Sequence, residues 1–188
     1  VLNSIQYYIT KNDRLNAINY LSKFSKLIRS VLTHSVNNKI RLADEIELLK
    51  NYIELELTRF ENKFSYTIDI DGDMDTDSVE IPSLLIQPYV ENAILHGLYN
   101  KEQPGQLSIR VQEKEDLVIF VIEDNGIGRK AAMKLREEKF PTHKSMGIKI
   151  TEERLQLINE RKNVTLEIED LEHGGVPAGT RVTIGILC

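Results

Sequence analysis

The chain has 188 residues, 41% of them hydrophobic and 28% charged, with a net charge of −5 at pH 7. That suits one globular domain with an appendage, and the lysines and arginines are spread rather than massed, which argues against a nucleic-acid surface. Its one cysteine, Cys188, excludes an internal disulfide and suits a reducing compartment, and no apolar run approaches the ~20 residues that span a bilayer. No signal peptide is visible, and Val1 opens directly into a helical pattern, as in an excised fragment.

The first third predicts helices. Leu2, Ile5, Tyr8 and Ile9 recur at helical spacing, and Asn12-Asp13 interrupts them. Asp13 suits the N-cap of a second helix carrying Leu15, Ile18, Leu21, Phe24, Leu27, Ile28, Val31 and Leu32. A third is expected from about Asp44 to Asn62, with Ile46, Leu49, Ile53, Leu57 and Phe60 on one face. Such apolar faces need a partner, either the domain behind them or a second copy in a homodimer through these N-terminal helices. After Lys63 the period changes. Phe64, Tyr66, Ile68 and Ile70 alternate as in a strand buried on one face. "DGDMDTD" at 71–77 has its glycine too early for a calcium loop and reads as a solvated turn. Then follow a helix over "IPSLLIQPYVENAILHGL", strands near 106–113 and 117–124, and a polar stretch with Pro141. A helix from about Gly147 to Arg161 and strands near 164–169 and 180–187 complete the pattern. Two parts are expected, helical over 1–62 and mixed over 63–188. Closely joined strands favour an antiparallel sheet and an α+β fold class.

Four short signals stand in one order. "ENAILHG" (91–97) places Asn92 and His96 four residues apart on an apolar helix. "DNGIG" (124–128) ends the apolar run from Leu117 to Ile122 in a carboxylate and two glycines. "KSMGIKITEERL" sets Gly147 ahead of a helix, whose N-terminal N–H groups suit phosphate. "GGVPAGTRVTIGI" is a glycine-rich turn opening a last strand. Each alone is weak, since Asn-Gly pairs reverse chains in many proteins.

Together, and in this order, they resemble the nucleotide-binding domain shared by gyrase, heat-shock chaperones, histidine kinases and mismatch-repair clamps (the GHKL, or Bergerat-type, α/β sandwich). With "LADEIELLKNYIELELTRFENKF" ahead of "LLIQPYVENAILHG", the whole chain resembles sensor histidine kinases of the LytS/YehU type. The resemblance implies the kinase core of a bacterial two-component system, with ATP and Mg²⁺ bound by residues 63–188. The γ-phosphoryl group would pass to a histidine of the dimerisation region and then to a response-regulator aspartate. The parent protein is expected to be membrane-anchored, with this part at the cytoplasmic face of the inner membrane. The site it implies is Glu91, Asn92, His96, Asp124, Gly126, Gly128, Lys144, Ser145, Gly147, Gly179 and Thr180.

Each role has a physical reason. The Asp124 carboxylate accepts from an adenine amino group, where guanine presents a carbonyl. Gly126 and Gly128 admit the base and the phosphates. The neutral Asn92 oxygen suits Mg²⁺ already held by phosphates, and His96 suits a phosphate; these two are the catalytic candidates. Gly147 and the N–H groups behind it suit phosphate oxygens, with Gly179 and Thr180 beside the adenine, and residues from Arg129 to Met146 would form a lid. Two departures from the family pattern stand out: Leu95 replaces a basic residue before the histidine, and Ser145 replaces a glycine of the third box. They keep open a second reading, a catalytically degenerate nucleotide-sensing dimerisation module. Pro88 occupies the place where the ATPases of this superfamily carry a water-activating glutamate, which favours transfer over hydrolysis. Of His34, His96, His143 and His173, none stands in the family's phosphoacceptor context, which is expected just upstream of Val1.

Overall fold

A computed structural model describes residues 2–35, 38–139 and 164–187, and divides the chain into two compact units. The first comprises Val1–Lys63 and Thr76–Leu85; the second comprises Phe64–Asp75 and Ile86–Cys188.

In the first unit α1 (Leu2–Thr10), α2 (Arg14–Ser35) and α3 (Leu42–Arg59) follow the apolar periods of the sequence. Asp13 begins α2 as its residue type suggests, its Oδ1 accepting the Asn16 N–H at 3.2 Å. α3 starts two residues earlier than its pattern, at Leu42, because its first N–H groups find backbone partners rather than a side-chain cap. Leu42 N–H donates to Val79 O at 2.8 Å and Ala43 N–H to Thr76 O at 3.0 Å. Short strands β1 (Lys39–Arg41) and β3 (Glu80–Pro82), flanking β2 (Phe64–Ile70) of the other unit in sequence, pair antiparallel with Ile40 opposite Ile81, both buried. Three residues carry too little alternation for either strand to have been visible in the sequence. Leu48, Tyr52 and Leu55 are buried along with Ile46, Leu49 and Ile53, so α3 is enclosed on more than one face.

The second unit is built on a five-stranded sheet in the order β2-β4-β5-β7-β6. Its strands are β2 (Phe64–Ile70), β4 (Gly105–Lys114), β5 (Leu117–Asp124), β6 (Val164–His173) and β7 (Val176–Leu187). Three of the four pairings are antiparallel, and β2 runs parallel to β4, the direction allowed by the long crossover between them. The class is α+β, as the pattern of elements implied. The single helix expected over 81–98 is interrupted. Pro82 ends β3, Leu84 takes φ 56°, and α4 (Gln87–Asn92) begins only with Pro88 in its first turn. A π-helical turn, Ala93–Leu98, continues it. Leu107, Ile109, Val118, Phe120, Ile122, Val182 and Ile184 are buried on one face of the sheet, and α4 and the π turn contribute Tyr89, Val90, Ile94 and Leu98 to the core. The β6–β7 turn falls on Gly174 and Gly175, at φ 61° and 79°, which leaves Gly179 inside β7 rather than in the turn. No helix among the described residues is long and apolar enough to cross a membrane.

Tyr20 sits in the first unit with 0% exposure, its ring 6.1 Å from that of Tyr8, and its hydroxyl has no hydrogen-bond partner among the described residues. A buried hydroxyl without a partner destabilises, so Tyr20→Phe is expected to raise stability by about 1 kcal/mol. Urea unfolding monitored by circular dichroism measures it; a loss of stability would mean the hydroxyl is satisfied.

Candidate nucleotide-binding site

β5 alternates half-buried and buried residues, so Val118, Phe120, Ile122 and Asp124 share the core face while Glu123 takes the other. Three apolar side chains and then a carboxyl on one buried face is an arrangement that packing alone does not explain. Asp124 is 4% exposed, and its one hydrogen bond among the described residues comes from the Gly126 N–H to Oδ1, at 2.8 Å. Burial pushes this carboxyl up to about 6; the Gly126 N–H and the Lys101 ammonium pull it down, and Glu123 adds to the rise.

Glycine backbone closes around it. A Cβ on Gly97 would stand 2.6 Å from Oδ1 of Asp124, and one on Gly126 would stand 2.6 Å from the same oxygen while running into the Gly97 backbone. A Cβ on Gly179 would overlap the Asp124 carbonyl oxygen, and Gly179 holds φ 137°, which side-chain-bearing residues rarely adopt. Thr180 stands directly across the β5–β7 ladder from Asp124. Gly97 and Gly126 therefore meet the carboxyl with bare backbone, and Gly179 meets the Asp124 main chain.

The loop leaving Asp124 is held from several directions. Asn125 exchanges bonds with Gln106, its N–H donating to Gln106 O at 3.2 Å and its Oδ1 accepting the Gln106 N–H at 2.8 Å. Lys101 Nζ donates to Asn125 O at 2.7 Å, and Ile127 N–H donates to Gly97 O at 3.3 Å. Gly128, at φ 76°, turns the chain into α5 (Arg129–Lys139). There the Arg129 guanidinium grips Asp170 of β6 with two bonds, 2.7 and 3.0 Å, and each partner holds the other in its charged form.

On the helical side, Asn92 ends α4 and His96 lies in the π turn. Both are exposed, whereas Ala93, Ile94, Gly97 and Leu98 around them are buried. Tyr99 N–H reaches back five residues to Ile94 O at 2.9 Å, the bond of a π turn. The Asn100 side-chain amide caps Leu95 O and His96 O, both at 3.4 Å. Glu91 is half-buried; burial raises its carboxyl, opposed by the Gln87 amide, which donates to it at 2.8 Å.

Of the residues anticipated from the sequence, Asp124, Gly126, Gly179 and Thr180 are thus neighbours, Gly128 is two residues along the same loop, and Glu91, Asn92 and His96 line one short helical segment. Lys144, Ser145, Gly147 and the remainder of the expected lid lie outside the described residues. Two residues had not been singled out. Gly97 carried a signal, a glycine inside an apolar helix, which marks a close approach. Lys101 carried none, because an isolated lysine in a polar loop has no spacing to betray it.

A buried carboxylate with a second oxygen still available, walled by backbone lacking Cβ atoms, fits the edge of a flat ring that offers an amino donor. Among the described residues no three His, Cys, Asp or Glu side chains converge on a metal position. The exposed, neutral Asn92 amide suits a cation that arrives with anionic ligands of its own.

The histidine kinase family model matches residues 1–64. The sensor protein LytS of Staphylococcus epidermidis is 32% identical over 120 residues, 64% of this chain and 20% of that protein. The sensor histidine kinase YpdA of Escherichia coli is 31% identical over 155 residues, 80% of this chain and 27% of that protein. The chain spans between 20% and 40% of the length of such curated relatives. Among solved structures, the histidine kinase domain of the Erythrobacter litoralis EL346 blue-light-activated kinase superposes with a TM-score of 0.53 at 16% identity, covering 92% of this chain and 74% of that one. The histidine kinase ThkA, solved in complex with the response regulator protein TrrA, gives 0.52 at 15%, covering 95% of this chain and 51% of that one. At such identities these structures speak to the fold alone.

The Asp124 carboxyl makes a prediction for the protein without ligand. Its folded value of about 6 lies above the ordinary aspartate value of 3.8, so the folded state binds more protons between the two. Stability should therefore fall as pH rises from about 4 to about 6 and stay lower above, by on the order of 2–3 kcal/mol. Asp124→Asn should lack this decline and melt higher than the wild type at pH 8. Thermal melts across pH 4–8 that decline equally in both proteins would remove Asp124 as the cause.

Proposed function

We propose that this chain, a relative of the LytS-type sensor histidine kinases, is the kinase core of a two-component sensor that binds ATP with Mg²⁺ and donates its γ-phosphoryl group to a histidine. The single observation that carries the reading is the buried Asp124 carboxyl closed in by Gly97 and Gly126, with Gly179 against its main chain. In that reading residues 1–62 form the helical dimerisation and phosphotransfer region and residues 63–188 the ATP-binding domain.

The residues take roles that follow from their chemistry. Asp124 accepts a hydrogen bond from the adenine amino group, with the Thr180 hydroxyl as a second polar contact. Glycine backbone at 126, 128 and 179 lets the ring and phosphates approach. Asn92 offers its amide oxygen to the metal and His96 a ring N–H to a phosphate, with Glu91 beside them. Lys144, Ser145 and Gly147 are assigned to the phosphates from their sequence context. Mg²⁺ held by the phosphates supplies charge neutralisation during transfer, while the protein supplies position. The P–O bond to ADP breaks and a P–N bond to the histidine forms, and the phosphoryl group then passes to an aspartate of a response regulator, the class of protein bound by ThkA. The receiving histidine lies outside these residues, since His34, in the last turn of α2, has no acidic neighbour in the chain to act as base.

Calorimetry with Mg²⁺ should give clear ATP binding and much weaker GTP binding, with Asp124→Asn losing roughly 1–3 kcal/mol of ATP affinity. Incubated with γ-labelled ATP, the chain should acquire no acid-labile, alkali-stable phosphate. Equal ATP and GTP affinity would remove the site assignment, and stable labelling would move the acceptor inside the chain.

Leu15, Ile18, Leu21, Ile28 and Leu32 are exposed along α2. Apolar side chains at this spacing support a homodimer through the N-terminal helices of the full-length protein. Sedimentation of the full-length protein reads the state directly, and a monomer at tens of micromolar, roughly where weak interfaces saturate, would count against it.

A further inference from the structure

Lys101 belongs to none of the four sequence signals, yet it occupies the junction between two of them. It follows the π turn, its own N–H donating to Leu98 O at 3.1 Å. Its side chain crosses to the loop after β5 and donates to Asn125 O at 2.7 Å from a half-buried position. That carbonyl belongs to the residue between Asp124 and Gly126, whose N–H binds the Asp124 carboxyl. Gln106 fixes the side-chain end of Asn125, and Lys101 fixes its carbonyl.

We propose that Lys101 is a positioning residue of the nucleotide site: it pins the Asn125 peptide and keeps a positive charge beside Asp124, so that the buried carboxyl stays ionised and aimed. The inference rests on the proposed nucleotide-binding role of this site.

Among the described residues, the surroundings of Asp124 leave the ammonium without a rival. From β4 the residue opposite is Leu107 and from β7 it is Thr180, neither of which carries charge. Glu123 precedes it on the other face of β5, committed to Arg181 at 2.9 Å and near Arg110 at 3.7 Å, and its effect opposes ionisation. The π turn approaches through Gly97, with exposed His96 one residue earlier. Glu91 lies in α4, tied to Gln87, and Arg129 of α5 is taken by Asp170. Among the described side chains acting on Asp124, Lys101 is the one that favours its charged form. A carboxyl walled off from water needs such a charge in order to accept a hydrogen bond as a carboxylate near neutral pH.

The test uses Lys101→Met, Lys101→Gln and Lys101→Arg in the whole chain. The Asp124 titration, followed without nucleotide by carboxyl-carbon NMR, should have its midpoint near 6 in the wild type. Met and Gln should move it upward by about half a pH unit or more, and Arg should restore it. ATP affinity of Lys101→Met should trail the wild type at all pH values and trail it by about a further two-fold near pH 6, where ionisation of Asp124 is incomplete. A loop defect alone would lower affinity equally across pH and leave the midpoint in place. An unmoved midpoint in either folded charge-removing variant overturns the proposal, and Lys101→Gln, with a polar end retained, carries the same test if Lys101→Met does not fold. Failure of the wild type to bind ATP would refute the site's function while leaving the titration to judge Lys101.

Discussion

The enclosure of the Asp124 carboxyl is the constraint on which the second unit depends. A carboxyl at 4% exposure can be approached this closely only where neighbouring segments lack Cβ atoms. Gly97 of the π turn and Gly126 of the loop are such positions, while Gly179 of β7 lies against the Asp124 main chain. The close approach of the π turn to the end of β5 and of the loop to the π turn goes with those two glycines, and the φ of 137° at Gly179 goes with its contact on the Asp124 main chain. Ionising the group in this setting works against folding, a pattern common where a buried polar group is kept for binding. The same enclosure holds one carboxyl oxygen on the Gly126 N–H, so the energetic burden and the proposed recognition share a cause.

The first unit solves a different problem. α3 starts without a side-chain cap, and carbonyl oxygens of Thr76 and Val79 accept its first N–H groups. Arg41 forks onto Asp44 and also reaches Asp77, drawing the strand before α3 and the 76–79 stretch together. Glu45, with 0% exposure, accepts the Leu84 N–H at 3.1 Å, next to the unusual φ of that leucine. The segment Thr76–Leu85, far from the helices in sequence, is thereby part of their unit. Between α2 and α3 the pairs Lys26–Glu47 and Lys23–Glu54 are exposed and contribute little; packing around Tyr20, Leu27, Leu49 and Ile53 carries the association.

The change from α to π winding after Asn92 bears on the proposed chemistry. The wider turn places Gly97 against Asp124 while keeping Asn92 and His96 at the surface. Asn100 then receives the last carbonyl groups, and Lys101 reaches the neighbouring loop. A segment that would otherwise be an ordinary core helix thus presents two polar side chains outward and bare backbone inward, over two successive turns.

The sequence by itself determined the helices of the first unit, the five strands of the sheet, the α+β class and the residues with a local signature. It did not determine α5, β1, β3 or the break in the helix expected over 81–98. Apolar period, glycine clusters and a carboxylate at a strand end are encoded by neighbours in the chain, so Asp124 and Gly126 stand out locally, while Gly179 enters through the family resemblance. The four signals in order also carried the family resemblance that relatives such as LytS and YpdA bear out. Tertiary structure alone decided what depends on partners distant in sequence. The parallel pairing of β2 with β4, the β1–β3 ribbon and the early start of α3 are settled by backbone groups tens of residues apart. Lys101 and Gly97 belong with these. A lysine tip and a missing Cβ acquire a role only when folding brings Asn125 and Asp124 against them, and no local pattern encodes that meeting.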